Sequence, residues 1–358
     1  MQRDCRIDII KGLAICLMVL GHCGCPITHF IYLFHMAVFF MASGYVYNQK
    51  YSESIDGIKT LFIKRIKSLW VPYFCFNTFF LVIWNPMVYM HISPADLITP
   101  LRFVKILIMN VFMLGSSSVP MCGAFWFLYS LFYITMLYAI VDYILFKINT
   151  PHKWIIHFII ASLLFISIYI FIKYGFHSTL VIKLIGPYIV YTLGVELAKQ
   201  KDSFLGQNNT IFVFIVSLLI LLVCNDYGTI ELATGKFVSP YFYIVASVAG
   251  WFFMWTLASR IQKSNLLQKV FVYIGQNTLC IVGIHFIAFK IITFIQIKTF
   301  HYPIESLKSY PVLSCSSGWW IAYFIVGITA SLMLNFVYEK TKCTICSVLK
   351  RPKKSNVL

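Results

Sequence analysis

An all-α integral membrane protein of about ten transmembrane helices, with N- and C-termini cytoplasmic, is what this sequence of 358 residues predicts. Three observations carry the prediction. The residues are 60% hydrophobic and only 11% charged, with a mean hydropathy of +0.81, more apolar surface than a soluble core can absorb. Charges and turn residues leave uninterrupted apolar stretches of about 17 to 25 residues, the length that crosses roughly 30 Å of hydrocarbon. Lys and Arg then collect on alternate loops.

In chain order the stretches lie at 7–24, 31–47, 69–90, 124–145, 154–172, 180–197, 211–225, 239–258, 273–297 and 319–338. The first follows Arg3 and Arg6 and ends in HCGCP. A signal peptide is the competing reading there, but the run contains Asp8 and Lys11, lacks a small-residue cleavage pattern and leads straight into further apolar sequence. The loop of Cys25 to Phe30 is short and uncharged, so the second stretch returns antiparallel beside the first. The seventh is short, and the ninth is interrupted near its start by Gly275, Gln276 and Asn277. The segment 101–114 carries Arg102 and Lys105 and reads as an interfacial or re-entrant helix. No repeat, linker or separate soluble domain interrupts the chain. It is read as one membrane domain, 1–358, ending in a basic cytoplasmic tail, 339–358.

With the N-terminus inside, twenty of the 29 Lys and Arg fall on the inner side, chiefly in the 50–67 loop and the tail. Eight fall outside, and Lys11 lies within the first helix. The formal charge of +17 is thereby spread over several short loops, which excludes a nucleic-acid partner. The eleven cysteines show no repeated spacing, and Cys16, Cys75, Cys224 and Cys280 sit in apolar runs as small hydrophobes. Cys343 and Cys346 form a lone CxxC without a second ligand pair, so no metal site is expected.

Chemistry concentrates in RIDIIKGLAICLMVLGH, where Asp8, Lys11 and His22 are costly in a bilayer. At 100° per residue the step from Lys11 to His22 returns to within about 20° of one helix face, with a rise of about 16 Å. Asp8 lies close to that stripe. His22 is placed about 22 Å from Ile7, in the outer part of the bilayer. His35, about one turn into the second helix, is expected at nearly the same depth. Two imidazoles meeting in a membrane suit proton exchange near neutral pH; the alternative is that both sit at the outer interface, bonded to water or backbone.

The first-helix run, followed by FHMAVFFMASGYVYN, resembles the integral-membrane acyltransferase family 3, which includes O-acyltransferases of bacterial surface polysaccharides. A basic residue, ten residues, then His is a hallmark of that family's first helix, and Lys11 with His22 satisfies it. FIKRIKSLWVPYF at 62–74 looks like the family's basic entry to the third helix, FWFLYSLFY at 125–133 like its WFL motif, and YIGQNTLCIVGIH at 273–285 like its Gly-x-Asn-Ser/Thr segment ending in His. Between 140 and 265 only the hydropathy agrees.

The resemblance implies acyl transfer from a cytoplasmic acyl-CoA, acetyl-CoA being the favoured donor, to a hydroxyl of a surface polysaccharide or lipid-linked glycan. No bound cofactor is implied. The expected setting is the bacterial inner membrane, among its lipids. His22 would be general base, with His35 beside it, or would carry an acyl-histidine intermediate. Lys11 either binds donor phosphate or carbonyl oxygen or neutralises Asp8. Lys64, Arg65 and Lys67 sit where CoA phosphates would arrive, though positive-inside topology alone also places cations there. Family members often carry Arg-x-x-Arg at this point; here Arg65 is followed by Ser68. Trp126 and Phe127 open the fourth span, where an aromatic belt is the default, and the resemblance adds a site-lining role for Trp126 alone. Asn277 and His285 complete the set, the depth of His285 depending on whether the ninth helix begins near Phe271 or at a cap around Asn277 and Thr278. Ser43 and Gly44 are read as packing residues. Asp226, Glu231 and the 299–318 loop face outside and could bind acceptor glycan, a solvated loop being the default reading. The rival reading is a glycan transporter or flippase, whose matched broken helices the sequence does not show.

Overall fold

Asp4 caps the first helix. Its carboxylate accepts from the Arg6 backbone N–H at 3.0 Å and pairs with the Arg6 guanidinium at 2.7 Å, which also lies 4.5 Å from the Trp255 ring. The computed structural model describes residues 4–113, 118–175, 179–200, 210–234, 236–237 and 239–349. Helix α1 runs Cys5–His22, α2 Thr28–Tyr32 and α3 His35–Tyr45. The second expected stretch is therefore two short helices broken at Leu33 and Phe34, and His35 opens α3 instead of lying a turn inside it.

Helix α4, Ile55–Arg65, passes through a π turn, Ile66–Trp70, into α5, Val71–Val82. Pro72 has no N–H to give to Ser68, and the wider turn accommodates the lost bond. Helices α6, Trp84–Tyr89, and α7, Pro100–Val111, follow, the second taking the place of the expected interfacial segment. A 3₁₀ turn at Pro120–Phe125 leads into α8, Trp126–Lys147, then α9, Lys153–Lys173. The sixth stretch divides at Gly186 and Pro187 into α10, Thr179–Ile185, and α11, Tyr188–Lys199. After α12, Thr210–Tyr227, the strands β1, Ile230–Glu231, and β2, Lys236–Phe237, form a two-residue antiparallel ladder. Helices α13, Pro240–Ile261, α14, Asn265–Gln276, α15, Thr278–Phe300, and α16, Trp319–Leu349, complete the described chain.

Among the described residues, seven helical stretches are long and apolar enough to cross a membrane: Pro120–Lys147, Lys153–Lys173, Val181–Lys199, Thr210–Tyr227, Tyr241–Ile261, Thr278–Phe300 and Ser316–Lys342. The protein is thus a helical, multi-pass membrane protein. These seven correspond to the last seven of the ten expected stretches. The first three depart for identifiable reasons: α1 carries Arg6, Asp8 and Lys11, the second stretch is split, and the third is divided at Ile83. The tail is no separate segment at its start, because α16 continues to Leu349. Residues 350–358 and the side chains of Cys343 and Cys346 lie outside the described residues.

Helix α1 packs against α3, α13, α14, α15 and α16. Close approach is set by glycines. A Cβ on Gly275 would lie 1.9 Å from the Asp8 carbonyl oxygen, and one on Gly12 would lie 2.3 Å from that of Phe271. Gly44 and Gly194 do the same for α3 and α11, where an added Cβ would meet the Tyr191 and Met41 carbonyl oxygens at 2.1 Å. We expect Gly275→Ala to force α14 from α1 at a cost of about 1–3 kcal/mol, the usual range for overpacking, seen as a lowered Tm in detergent.

Candidate active site

Two cavities share the walls formed by α1, α3 and α8. The first, of about 520 Å³, is lined by Asp8 and Lys11 from α1, Phe39 and Ser43 from α3, Arg65 and Ser68, Phe127 and Leu131 from α8, and Gln276, Thr278 and Val282 across the α14–α15 break. Asp8 is buried, and the Gln276 amide donates to its carboxylate at 3.5 Å. The Arg65 Nε–H is buried without a hydrogen-bond partner among the described residues, and such a donor calls for an acceptor in the cavity. This is the basic cavity.

The basic cluster predicted at 64–67 separates. Arg65 lines the cavity, whereas Lys64 and Lys67 are exposed, Lys64 donating to the Tyr51 hydroxyl at 3.3 Å. The reason is helical phase: consecutive residues near the end of α4 point about 100° apart, so one face cannot hold all three. Ser68 lies beside Arg65 in the lining, where the family's second Arg is expected, and offers a hydroxyl instead of a guanidinium.

The second cavity, of about 90 Å³, is lined by Met18 and His22 from α1, Tyr32 from α2, His35 and Met36 from α3, Trp126 from α8, Tyr243 from α13, and Ile230 to Ala233 around β1. His22 and His35 thus share one cavity, and Tyr32 stacks on the His35 ring at 5.2 Å. The closest imidazole neighbour recorded for His22 is nevertheless His285, with ring centroids 5.4 Å apart and planes at 25°. The break at Asn277 resolves the depth of His285, because α15 starting at Thr278 brings it two turns along, level with the end of α1.

Tautomers follow from the backbone. The Nδ1–H of His35 donates to the Ile31 carbonyl at 2.9 Å, and that of His285 donates to the Ile281 carbonyl at 2.9 Å. Each ring then presents Nε2 as a lone pair, and that of His285 is buried without a hydrogen-bond partner among the described residues. Such imidazoles can accept a proton from a hydroxyl brought against them.

Between the cavities stands an aromatic partition. The Phe39 and Phe127 rings are 5.4 Å apart, and Phe40 contacts Phe127 at 5.9 Å and Trp126 at 6.4 Å. Successive residues Trp126 and Phe127 face the two cavities in turn. Trp126 is buried, so the expectation of an aromatic belt is not met by it. Asn277 lines neither cavity: its amide donates to the Tyr273 carbonyl at 2.7 Å and its oxygen accepts from Asn335 at 2.7 Å, tying the helix break to α16.

Three groups have contacts that sequence reasoning does not place, although it names Glu231 and the 299–318 loop as outer groups able to meet an acceptor. Glu231 lines the histidine cavity through the β1 hairpin, which no local signal reveals. Tyr310, in the loop before α16, packs on Phe286 at 4.9 Å, and Phe286 touches His22 at 4.9 Å. Lys290 holds that loop: buried in α15, it donates to the carbonyls of Leu307 at 3.0 Å and Ser309 at 2.7 Å. A lone Lys inside an apolar run was the available signal for it.

A helical membrane protein whose central helix lines one cavity with His22 and His35, His285 stacking on His22, and a second cavity with Lys11 and Arg65 has the groups to exchange a proton and to meet an anion. The model for the acyltransferase family 3, described as an acyltransferase domain, matches residues 6–338, nearly the whole chain. The chain belongs to that family and is a membrane acyltransferase. Neither curated proteins nor solved structures include a significant match to it.

Replacing Lys290 by Met removes a buried ammonium from two carbonyls. We expect a loss on the order of 2–4 kcal/mol and faster proteolysis within 302–315, measured by limited digestion in detergent.

Proposed function

We propose that the protein transfers an acyl group, acetyl being the favoured case, from cytoplasmic acyl-CoA to a hydroxyl of a surface polysaccharide or lipid-linked glycan in the bacterial inner membrane. The observation that carries this reading is the pair of cavities on α1, one holding Lys11 and Arg65, the other His22 and His35. Lys11 and Arg65 bind the phosphates of the donor from the cytoplasmic side, Arg65 using the buried Nε–H that has no hydrogen-bond partner among the described residues. The thioester arm extends along α1 through the aromatic partition, a path of about 16 Å between Lys11 and His22.

At the far end His22 takes the proton of the acceptor hydroxyl as its oxygen attacks the thioester carbonyl. The tetrahedral intermediate collapses, the C–S bond breaks, and the proton on His22 passes to the departing thiolate. The acyl ester stays on the acceptor, and free CoA withdraws. His35 presents its Nε2 to the same cavity and accepts a hydrogen bond from the acceptor, while His285 backs the His22 ring. Ten spans with both termini inside agree with the side on which Lys and Arg collect.

The test is transfer of labelled acetyl from acetyl-CoA to a glycan acceptor by protein in proteoliposomes. His22→Ala is expected to lower turnover by about 10²–10⁴-fold without loss of folding, in line with removal of a general base. Normal transfer by that variant would remove His22 from the mechanism. Lys11→Met and Arg65→Met are expected to raise the donor KM about tenfold each, as loss of one charged hydrogen bond does, while Lys64→Met and Lys67→Met leave it unchanged. Equal effects at all four positions would mean that surface charge, and not the basic cavity, attracts the donor.

A further inference from the structure

The histidine cavity has one wall that the mechanism above leaves idle. Residues Ile230 to Ala233 form it, and Glu231 is the single carboxylate in the lining. The hairpin packs through its apolar residues, while Glu231 itself is half-buried. Ile230 and Leu232 are each 3% exposed, the ladder pairs Glu231 with Lys236 through the backbone, and the His29 Nε2 lies 2.9 Å from the Gly228 carbonyl just before the hairpin. Thr234 donates to Glu231 Oε2 at 2.7 Å, which fixes the plane of the carboxylate. Oε1 accepts no hydrogen bond among the described residues.

A carboxylate oriented in this way, in a cavity that His22, His35, Tyr32 and Trp126 also line, combines a fixed acceptor with aromatic surface. Apolar walls with a few convergent polar groups set orientation and specificity in small-molecule sites. A simple alcohol uses only one acceptor, the base that takes its proton. A sugar presents a second hydroxyl next to the reacting one, with a proton to donate, and that donor finds a partner in Glu231 Oε1.

We infer that Glu231 is an acceptor-binding residue, hydrogen-bonded to a hydroxyl adjacent to the one acylated, so that the acceptor is a polyol with neighbouring hydroxyls. The inference rests on the acyl-transfer reading of the two cavities. Glu231 takes no proton in the reaction: the hydroxyl proton goes to His22, and the neighbouring hydroxyl keeps its own while donating it to the carboxylate. Specificity arises because a deoxy acceptor lacks the hydroxyl that this carboxylate oxygen accepts from.

The experiment uses proteoliposomes, labelled acetyl-CoA, and methyl glycosides of glucose, galactose and mannose with their monodeoxy analogues. The wild type should prefer one glycoside to one of its deoxy analogues by about 10- to 100-fold in kcat/KM, the worth of a hydrogen bond to a charged group. E231L, which removes the acceptor, should lose that preference, falling to the level of the deoxy acceptor on the intact glycoside and matching wild type on the analogue. The pH profile of transfer should be unchanged. Retained selectivity in E231L overturns the inference, as does an equal loss on both acceptors or a shifted pH profile, which would place Glu231 behind the histidines. Absence of transfer by the wild type to every glycoside overturns the acyl-transfer reading itself.

Discussion

The structure depends on enclosing α1. A helix bearing Arg6, Asp8, Lys11 and His22 cannot face lipid, where each polar group would need a partner that hydrocarbon does not supply. Enclosure requires neighbours on every side and at short range. Gly12 and Gly275 supply the range on one side by letting backbone meet backbone, and α3, α13, α15 and α16 close the remainder. Once α1 is covered, its polar stripe is packed by neighbouring helices, and among the described residues it lines two cavities. The placement of the chemistry is therefore a consequence of how a costly helix is made tolerable.

The same enclosure divides the stripe. Lys11 and His22 share a face but not a cavity, because Phe39, Phe40 and Phe127 fill the space between them. Polar ends separated by an aromatic middle keep two aqueous compartments from joining, which any protein spanning a membrane must ensure. For acyl transfer the middle has a second consequence. On the proposed reaction a thioester held among these rings would be shielded from water, and a hydroxyl at the histidine end would meet less competition for the carbonyl.

Much of this was legible in the chain. Asp8, Lys11 and His22 stand out because an apolar background makes every charge informative, and Gly275–Asn277 announce the helix break found there, whereas the division of the 180–197 stretch at Gly186 and Pro187 went unread. Other features had no local signature. The break at Leu33 and Phe34 contains neither Gly nor Pro, so His35 was expected a turn too deep in its helix. Lys64, Arg65 and Lys67 look equivalent in sequence, and only the phase of α4 and the π turn separates the one that lines a cavity. The meeting of His22 with His285, and of Glu231 with both His22 and His35, joins residues more than 190 positions apart. Long-range juxtaposition of this kind is set by packing and not by periodicity.

Burial of three imidazoles restricts which proton chemistry the site can sustain. A lasting imidazolium would need a counter-charge to offset its desolvation. No carboxylate lies within ion-pairing distance of His22 among the described residues, and the histidine cavity contributes Glu231 alone. On the proposed reaction that requirement is met in time and not in space. The proton reaches His22 as negative charge develops on the tetrahedral oxygen, and it leaves with the thiolate when that charge collapses. The buried cluster therefore stays neutral overall through the cycle. Enclosure of α1, which at first looks like a stability problem, thus favours the proposed acyl transfer with internal proton return over chemistry that would store a charge in the membrane.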